Sequence, residues 1–157
     1  MGRMTETSFS LRTPEGDDVA RKICDTCGFV AYENPKIVVG SVVRHDGRIL
    51  LCRRAIQPRQ GFWTIPAGYL ELNETPEDGA RREAREEATA QLAIERLLAV
   101  YSVPRISQVQ LIYRASLAES TIAPGIESQA VELFAWDDIP WDELAFPSVH
   151  WALNHDR

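Results

Sequence analysis

Apolar residues gather in short runs along the chain, and the longest runs lie beyond residue 35. Ile37-Val38-Val39-Gly40-Ser41-Val42-Val43 is a β-branched run and predicts a strand. His45-Asp46-Gly47 reads as a turn and Arg48-Ile49-Leu50-Leu51-Cys52-Arg53 as the returning strand, which together make a hairpin. Further strands are predicted at Ile94–Val103, Gln108–Leu117 and Ala130–Trp136. Between the hairpin and these strands the period changes. Ala80, Ala84 and Ala88 recur every fourth residue, giving a helix one face small enough to pack closely on a sheet. Thr75-Pro76-Glu77-Asp78 supplies an N-cap, a proline at the first helical position and acids in the first turn, so the helix begins there and ends around Thr89–Gln91. Asp137-Asp138-Ile139-Pro140 reads as a turn and Ser148–His155 as a short helix. The order predicts an α/β fold in which a mixed sheet is flanked by helices.

Residues 1–35 carry no sustained period and are punctuated by Pro14, Gly16, Gly28 and Pro35, so they read as an irregular N-terminal arm or small appendage. The expected organisation is therefore an arm over residues 1–35 and one domain over residues 36–157. No internal repeat is visible.

With 157 residues the chain is long enough to bury a core without disulfides. No apolar run approaches the roughly 20 residues of a bilayer-spanning helix. The start, Met1-Gly2-Arg3-Met4-Thr5-Glu6, lacks the basic and apolar regions of a secretory leader, so a cytoplasmic protein is expected. A formal charge of −6 argues against a general nucleic-acid binder. The acidity is concentrated: Glu71–Glu87 holds seven acids against three bases, a first pointer to a cation site. Three cysteines make a disulfide framework improbable, and Cys24 and Cys27 form a lone C-x-x-C, two of the four ligands a structural zinc site needs. Cys52 sits in an apolar run and reads as core.

On a helix, Glu83, Glu86 and Glu87 fall within an arc of about 100°. Such like charges are either absorbed by solvent or arranged to hold a divalent cation. The surrounding pattern favours the cation. Gly68, five residues, Glu74, seven residues, then Arg82-Glu83-Ala84-Arg85-Glu86-Glu87 resembles the box of the Nudix hydrolases (MutT-like proteins), G-x5-E-x7-R-E-U-x-E-E-x-G-U with U aliphatic. The match departs at its end, where Thr89 replaces the glycine and Ala84 and Ala90 are small versions of the aliphatic positions. The resemblance implies a Nudix αβα sandwich with a loop–helix–loop catalytic motif. It also implies Mg²⁺ or Mn²⁺ on Glu83, Glu86 and Glu87, with Glu74 assisting the metal or bracing the loop and Arg82 orienting a glutamate. Gly68 would permit the backbone turn before the helix.

Flanking stretches, among them Tyr32-Glu33-Asn34-Pro35-Lys36, Gly61-Phe62-Trp63-Thr64-Ile65-Pro66-Ala67-Gly68-Tyr69 and Pro124-Gly125-Ile126-Glu127-Ser128, resemble a subgroup that hydrolyses ADP-ribose and FAD. The implied reaction is pyrophosphate cleavage of a small nucleotide, releasing AMP. Members of that subgroup often carry an N-terminal zinc ribbon of two C-x-x-C halves. Only the Cys24/Cys27 half stands here, so an incomplete ribbon is expected and zinc becomes doubtful unless two chains share ligands. Glu127 reads either as a general base or as a solvated turn residue. Arg53, Arg54 and Arg59 are candidate phosphate contacts. Phe62, Trp63, Tyr69 and Tyr101 are candidates to stack on adenine or flavin, or else core. The resemblance allows a homodimer. Rival readings are a Nudix hydrolase of NADH, nucleoside triphosphates or capped RNA, and a non-catalytic ligand sensor, which the four intact box glutamates disfavour.

Overall fold

A computed structural model describes residues 7–157; the six residues on which the leader-free start was read lie outside the described residues. They form two compact units, the first ending at Asn34 and the second running Pro35–Arg157.

The first unit corrects the expectation of an irregular arm. β1 (Phe9–Arg12), β2 (Arg21–Cys24) and β3 (Val30–Ala31) make an antiparallel sheet in the order β1-β2-β3. Its strands are short and β1 is mostly exposed, so no apolar period marks them; of the three strands only Ile23 and Cys24 are buried. Polar contacts supplement that small core. The Asp25 carboxylate accepts hydrogen bonds from the hydroxyls of Ser8 (2.9 Å) and Ser10 (2.6 Å), and Arg21 pairs with Asp17 at 3.0 Å.

The second unit is built on the predicted hairpin, β4 (Lys36–His45) and β5 (Arg48–Arg54). Asp46 (φ 48°) and Gly47 (φ 75°) join them, both left-handed as a two-residue hairpin turn requires. Two short strands follow, β6 (Trp63–Thr64) on β5 and β7 (Ala67–Tyr69) on β4. Then come α1 (Pro76–Ala88), β8 (Leu92–Val103), β9 (Gln108–Leu117), β10 (Ser128–Phe134) and α2 (Pro147–Asp156). The sheet order is β10-β5-β4-β9-β8, with β4 and β9 parallel and the other pairs antiparallel.

Strand alternation sends side chains to both faces. Val39 and Val43 of β4, with Leu50 and Cys52 of β5, meet Ala80, Ala84 and Ala88 of α1. Val42, Ile49, Leu51 and Ile112 meet Val149, Ala152 and Leu153 of α2. A sheet covered by a helix on each side needs apolar residues at consecutive positions, which is why these strands read as runs. The chain end is fixed by charge: Asp156, 2% exposed, lies 3.2 Å from Arg114 Nε on β9 and pairs with Arg44 on β4. Among the described residues no helix is long and apolar enough to cross a membrane.

Candidate functional site

Local chemistry sets the helix that carries the glutamates. The Thr75 hydroxyl accepts the Asp78 amide at 3.1 Å, and Pro76 opens α1. The alanine face lies flat on the sheet, all three residues fully buried, and Glu83 and Glu87 meet the segment just before the helix. Gly68 of β7 is the point of closest approach: a Cβ there would fall on the Glu83 carboxyl group.

Arg82 is the hub of the arrangement. It grips Glu74 with Nε (3.1 Å) and Nη2 (2.8 Å), and Nη2 also donates to the Tyr69 carbonyl (3.0 Å). Its Nη1 donates to Glu83 (2.7 Å) and Glu86 (3.2 Å). Glu74 in turn accepts the Glu71 amide at 2.8 Å, which locks the loop before the helix. The Arg82 guanidinium holds the Glu74 carboxyl below the usual carboxylate range.

Glu83 and Glu87 shift the other way from Glu74. Glu87 is 6% exposed, and among the described residues the one donor to its carboxylate is the Ala67 amide at 3.2 Å. Burial, more than the nearby negative charges of Glu83 and Glu127, pushes its pKa up to about 8. Burial also raises Glu83, against the pull of Arg82. Arg82 thus pairs with Glu74, Glu83 and Glu86, while Glu87 feels only the charge of Arg54 and the opposing charges of Glu83 and Glu127. Among the described residues no three acidic, histidine or cysteine side chains already converge as a ligand set, because Arg82 stands among Glu74, Glu83 and Glu86. The donor set nonetheless fits a hard divalent cation: buried carboxylate oxygens, short of positive charge, on one helix face.

The other sequence candidates divide. Glu127 comes to the site; its charge acts on Glu83 and Glu87, and its carbonyl accepts the Ala55 amide at 2.8 Å. Arg54 comes too, because alternation places it with Leu50 and Cys52 on the α1 face, and its charge favours ionised Glu87. Arg53 points the other way, donating to the Gly61 carbonyl at 2.9 Å. Arg59 donates to the Ala145 carbonyl at 3.2 Å and covers the Phe62 ring at 3.8 Å.

Of the two readings of the aromatic residues, Trp63 takes the core one and Tyr101 is packed against α2. Trp63 is 6% exposed and packs edge-on against Phe134 at 5.0 Å, in the core. Tyr101 lies on the α2 side, stacked on His155 at 5.6 Å and edge-on to Trp151 at 5.4 Å. Tyr69 stays half exposed beside Lys36, whose Nζ lies 4.9 Å from the ring centre.

Sequence reasoning missed an open groove of about 520 Å³ lined by Arg59, Trp141, Phe146, His150 and Trp151. Arg54 lies over the Phe146 ring at 5.2 Å and so links the groove to the carboxylates. The one available signal was aromatic density between residues 136 and 151, which also reads as core.

In the first unit, the backbone of Cys27 and of Thr26, with the Cys27 side chain, holds the Cys24 thiol below its ordinary range. Gly28 (φ 74°) closes this turn onto the Cys24 carbonyl at 2.9 Å. Such a turn suits a thiolate ligand, but among the described residues no third side chain joins the pair. Cys52 is a core residue, 1% exposed, with its thiol pushed up by burial.

Comparison with known proteins agrees with this architecture. The family described as NUDIX domain matches residues 34–152, and a zinc-ribbon family described as Nudix N-terminal matches residues 6–33. A NUDIX hydrolase crystal structure from Nitrosomonas europaea is similar at 46% identity and TM-score 0.90, over 97% of this chain and 86% of that one. A MutT-like protein of Streptomyces ambofaciens is 38% identical over 102 residues, 65% of this chain; the matched stretch spans 64% of that protein. A protein of Methanocaldococcus jannaschii named ADP-ribose pyrophosphatase is 29% identical over 73% of this chain and 69% of its own length. Box, sheet order and matched length converge: the chain belongs to the Nudix hydrolase family.

Proposed function

We propose that the chain is a magnesium- or manganese-dependent pyrophosphohydrolase acting on a nucleoside diphosphate linked to a second moiety, ADP-ribose or FAD, and releasing AMP. The carrying observation is the buried Glu87 carboxyl beside Glu83 and Glu86 on one helix face. Glu83, Glu86 and Glu87 would hold the cation. Bound there, it would neutralise pyrophosphate charge and lower the pKa of the attacking water.

The chain's own groups do the positioning. Arg82 braces Glu74 and Glu83, so the carboxylates are oriented by a fork rather than by flexible side chains. Glu127, opposite Glu83 and Glu87, takes the proton of the attacking water. Arg54 meets the phosphates, as guanidinium geometry suits. The aromatic groove reached through Phe146 accommodates the base; its volume is within the roughly 300–1,000 Å³ of small-molecule sites. The name of the Methanocaldococcus relative supports ADP-ribose as the first substrate to try.

A substrate panel with Mg²⁺, read by chromatography, tests this reading. ADP-ribose should yield AMP and ribose 5-phosphate, and FAD should yield AMP and FMN. Consumption of a nucleoside triphosphate, NADH or capped RNA while both stay intact would overturn it.

A further inference from the structure

Thr89 stands where the family box carries glycine, and its backbone is left-handed (φ 54°, ψ 20°), a conformation that β-branched residues disfavour and glycine adopts freely. A threonine kept there needs a compensating interaction, and its hydroxyl supplies one by donating to the Ala123 carbonyl at 3.1 Å. That contact joins the end of α1 to Ala123, 34 residues further along the chain and on the segment that leads to Glu127.

The same segment caps the helix. The Ala123 amide donates to the Ala88 carbonyl at 2.9 Å and the Gly125 amide to the Glu87 carbonyl at 3.1 Å, satisfying carbonyls that the last helical turn leaves free. Gly125 lies so close that a Cβ would strike the Glu86 carbonyl oxygen. The Ser128 amide then turns back onto the Gly125 carbonyl (3.1 Å), and the Ala55 amide holds the Glu127 carbonyl (2.8 Å). Glu127 is therefore suspended between the end of the metal-binding helix and the end of β5. The backbone of the glutamates and the backbone of Glu127 form one hydrogen-bonded assembly.

We propose that Thr89 is a positioning residue: its hydroxyl fastens residues 118–127 to the C-terminal end of α1 and so sets Glu127 against Glu83 and Glu87. This rests on the reading of Glu127 as the water-activating carboxylate. A glycine at position 89 would satisfy the backbone without strain but leave the Ala123 carbonyl without its tether.

The test uses the full chain with Mg²⁺ and ADP-ribose, comparing wild type with T89G, T89S, G125A, E127Q and the double variant T89G/E127Q. T89G should lower kcat about tenfold or more with little change in KM, since a misplacement of about 1 Å at a reacting group has effects of that size. T89S, which keeps the hydroxyl, should restore most of the loss. E127Q should lower kcat in the wild type and add little in T89G. By hydrogen exchange, the Ala123 and Gly125 amides should exchange faster in T89G and in G125A, but not in T89S. Unchanged kcat and unchanged exchange in T89G would overturn the proposal. Faster exchange in T89G together with a silent E127Q also overturns it, and assigns the failure to the role of Glu127 rather than to the tether.

Discussion

Replacing Arg82 by alanine tests the site most directly, because one side chain joins three glutamates and a carbonyl. Its side chain is 22% exposed, against 16% for Glu74 and 11% for Glu83, so these pairs are largely withdrawn from water. The contact with Glu86, 58% exposed, is discounted as a screened surface pair. Removing one partner of a buried ion pair costs about 3–5 kcal/mol, and the partial exposure here puts the loss near the lower end, about 3 kcal/mol. For a chain of this length each kcal/mol moves the melting temperature by about 2–4 °C, so Arg82→Ala should melt roughly 6–12 °C below wild type without added metal. Arg82→Lys keeps the charge but loses the two-pronged grip on Glu74, and should lose about 1–2 kcal/mol. Saturating Mg²⁺ should recover part of the alanine defect, since a cation on Glu83 and Glu86 replaces the missing charge at two of the three carboxylates. Differential scanning calorimetry with and without Mg²⁺ measures both effects. An alanine variant melting within about 2 °C of wild type in chelator would refute the idea that Arg82 holds the metal-free site together.

Other perturbations separate chemistry from folding. Glu86→Gln should cut turnover by orders of magnitude and leave the urea midpoint nearly unchanged, because Glu86 is exposed; near-normal activity at saturating Mg²⁺ would remove it from the ligand set. Gly68→Ala places a methyl group on the Glu83 carboxyl and should weaken Mg²⁺ binding, measured by calorimetric titration, while binding as tight as wild type would contradict the packing described. Asp156→Ala leaves Arg44 and Arg114 without their shared partner and should lose about 3 kcal/mol in urea unfolding, with kcat intact in the surviving folded protein. His150→Ala should raise KM for ADP-ribose with little change in kcat; an unaltered KM would argue that the base lies outside the α2 groove.

What the sequence by itself determined is whatever local geometry converts directly into direction. Thr75 and Pro76 start a helix wherever they precede helix formers, and spacings of three and four residues put Glu83, Glu86 and Glu87 on one face regardless of what surrounds it. The hairpin at Asp46-Gly47 and the sheet-facing alanines are equally local. The short strands of the first unit escaped detection because their residues are mostly exposed and leave no apolar period. Tertiary structure decided everything that depends on distant segments. Trp63 and Tyr101 look alike in sequence as free aromatic rings, yet the packing of Phe134 and of α2 commits both elsewhere. Arg53 and Arg54 are neighbours in the chain, and only the tertiary fold sends one to the Gly61 carbonyl and the other to the Pro58 carbonyl and the Phe146 ring, where its charge acts on Glu87. Glu127 and the Ala67 amide reach the helix through loop closure, and Glu87 becomes hard to ionise only after the fold has removed its water. Spacing placed the carboxylates together; the fold decided that Glu83 and Glu87 are buried and Glu86 exposed.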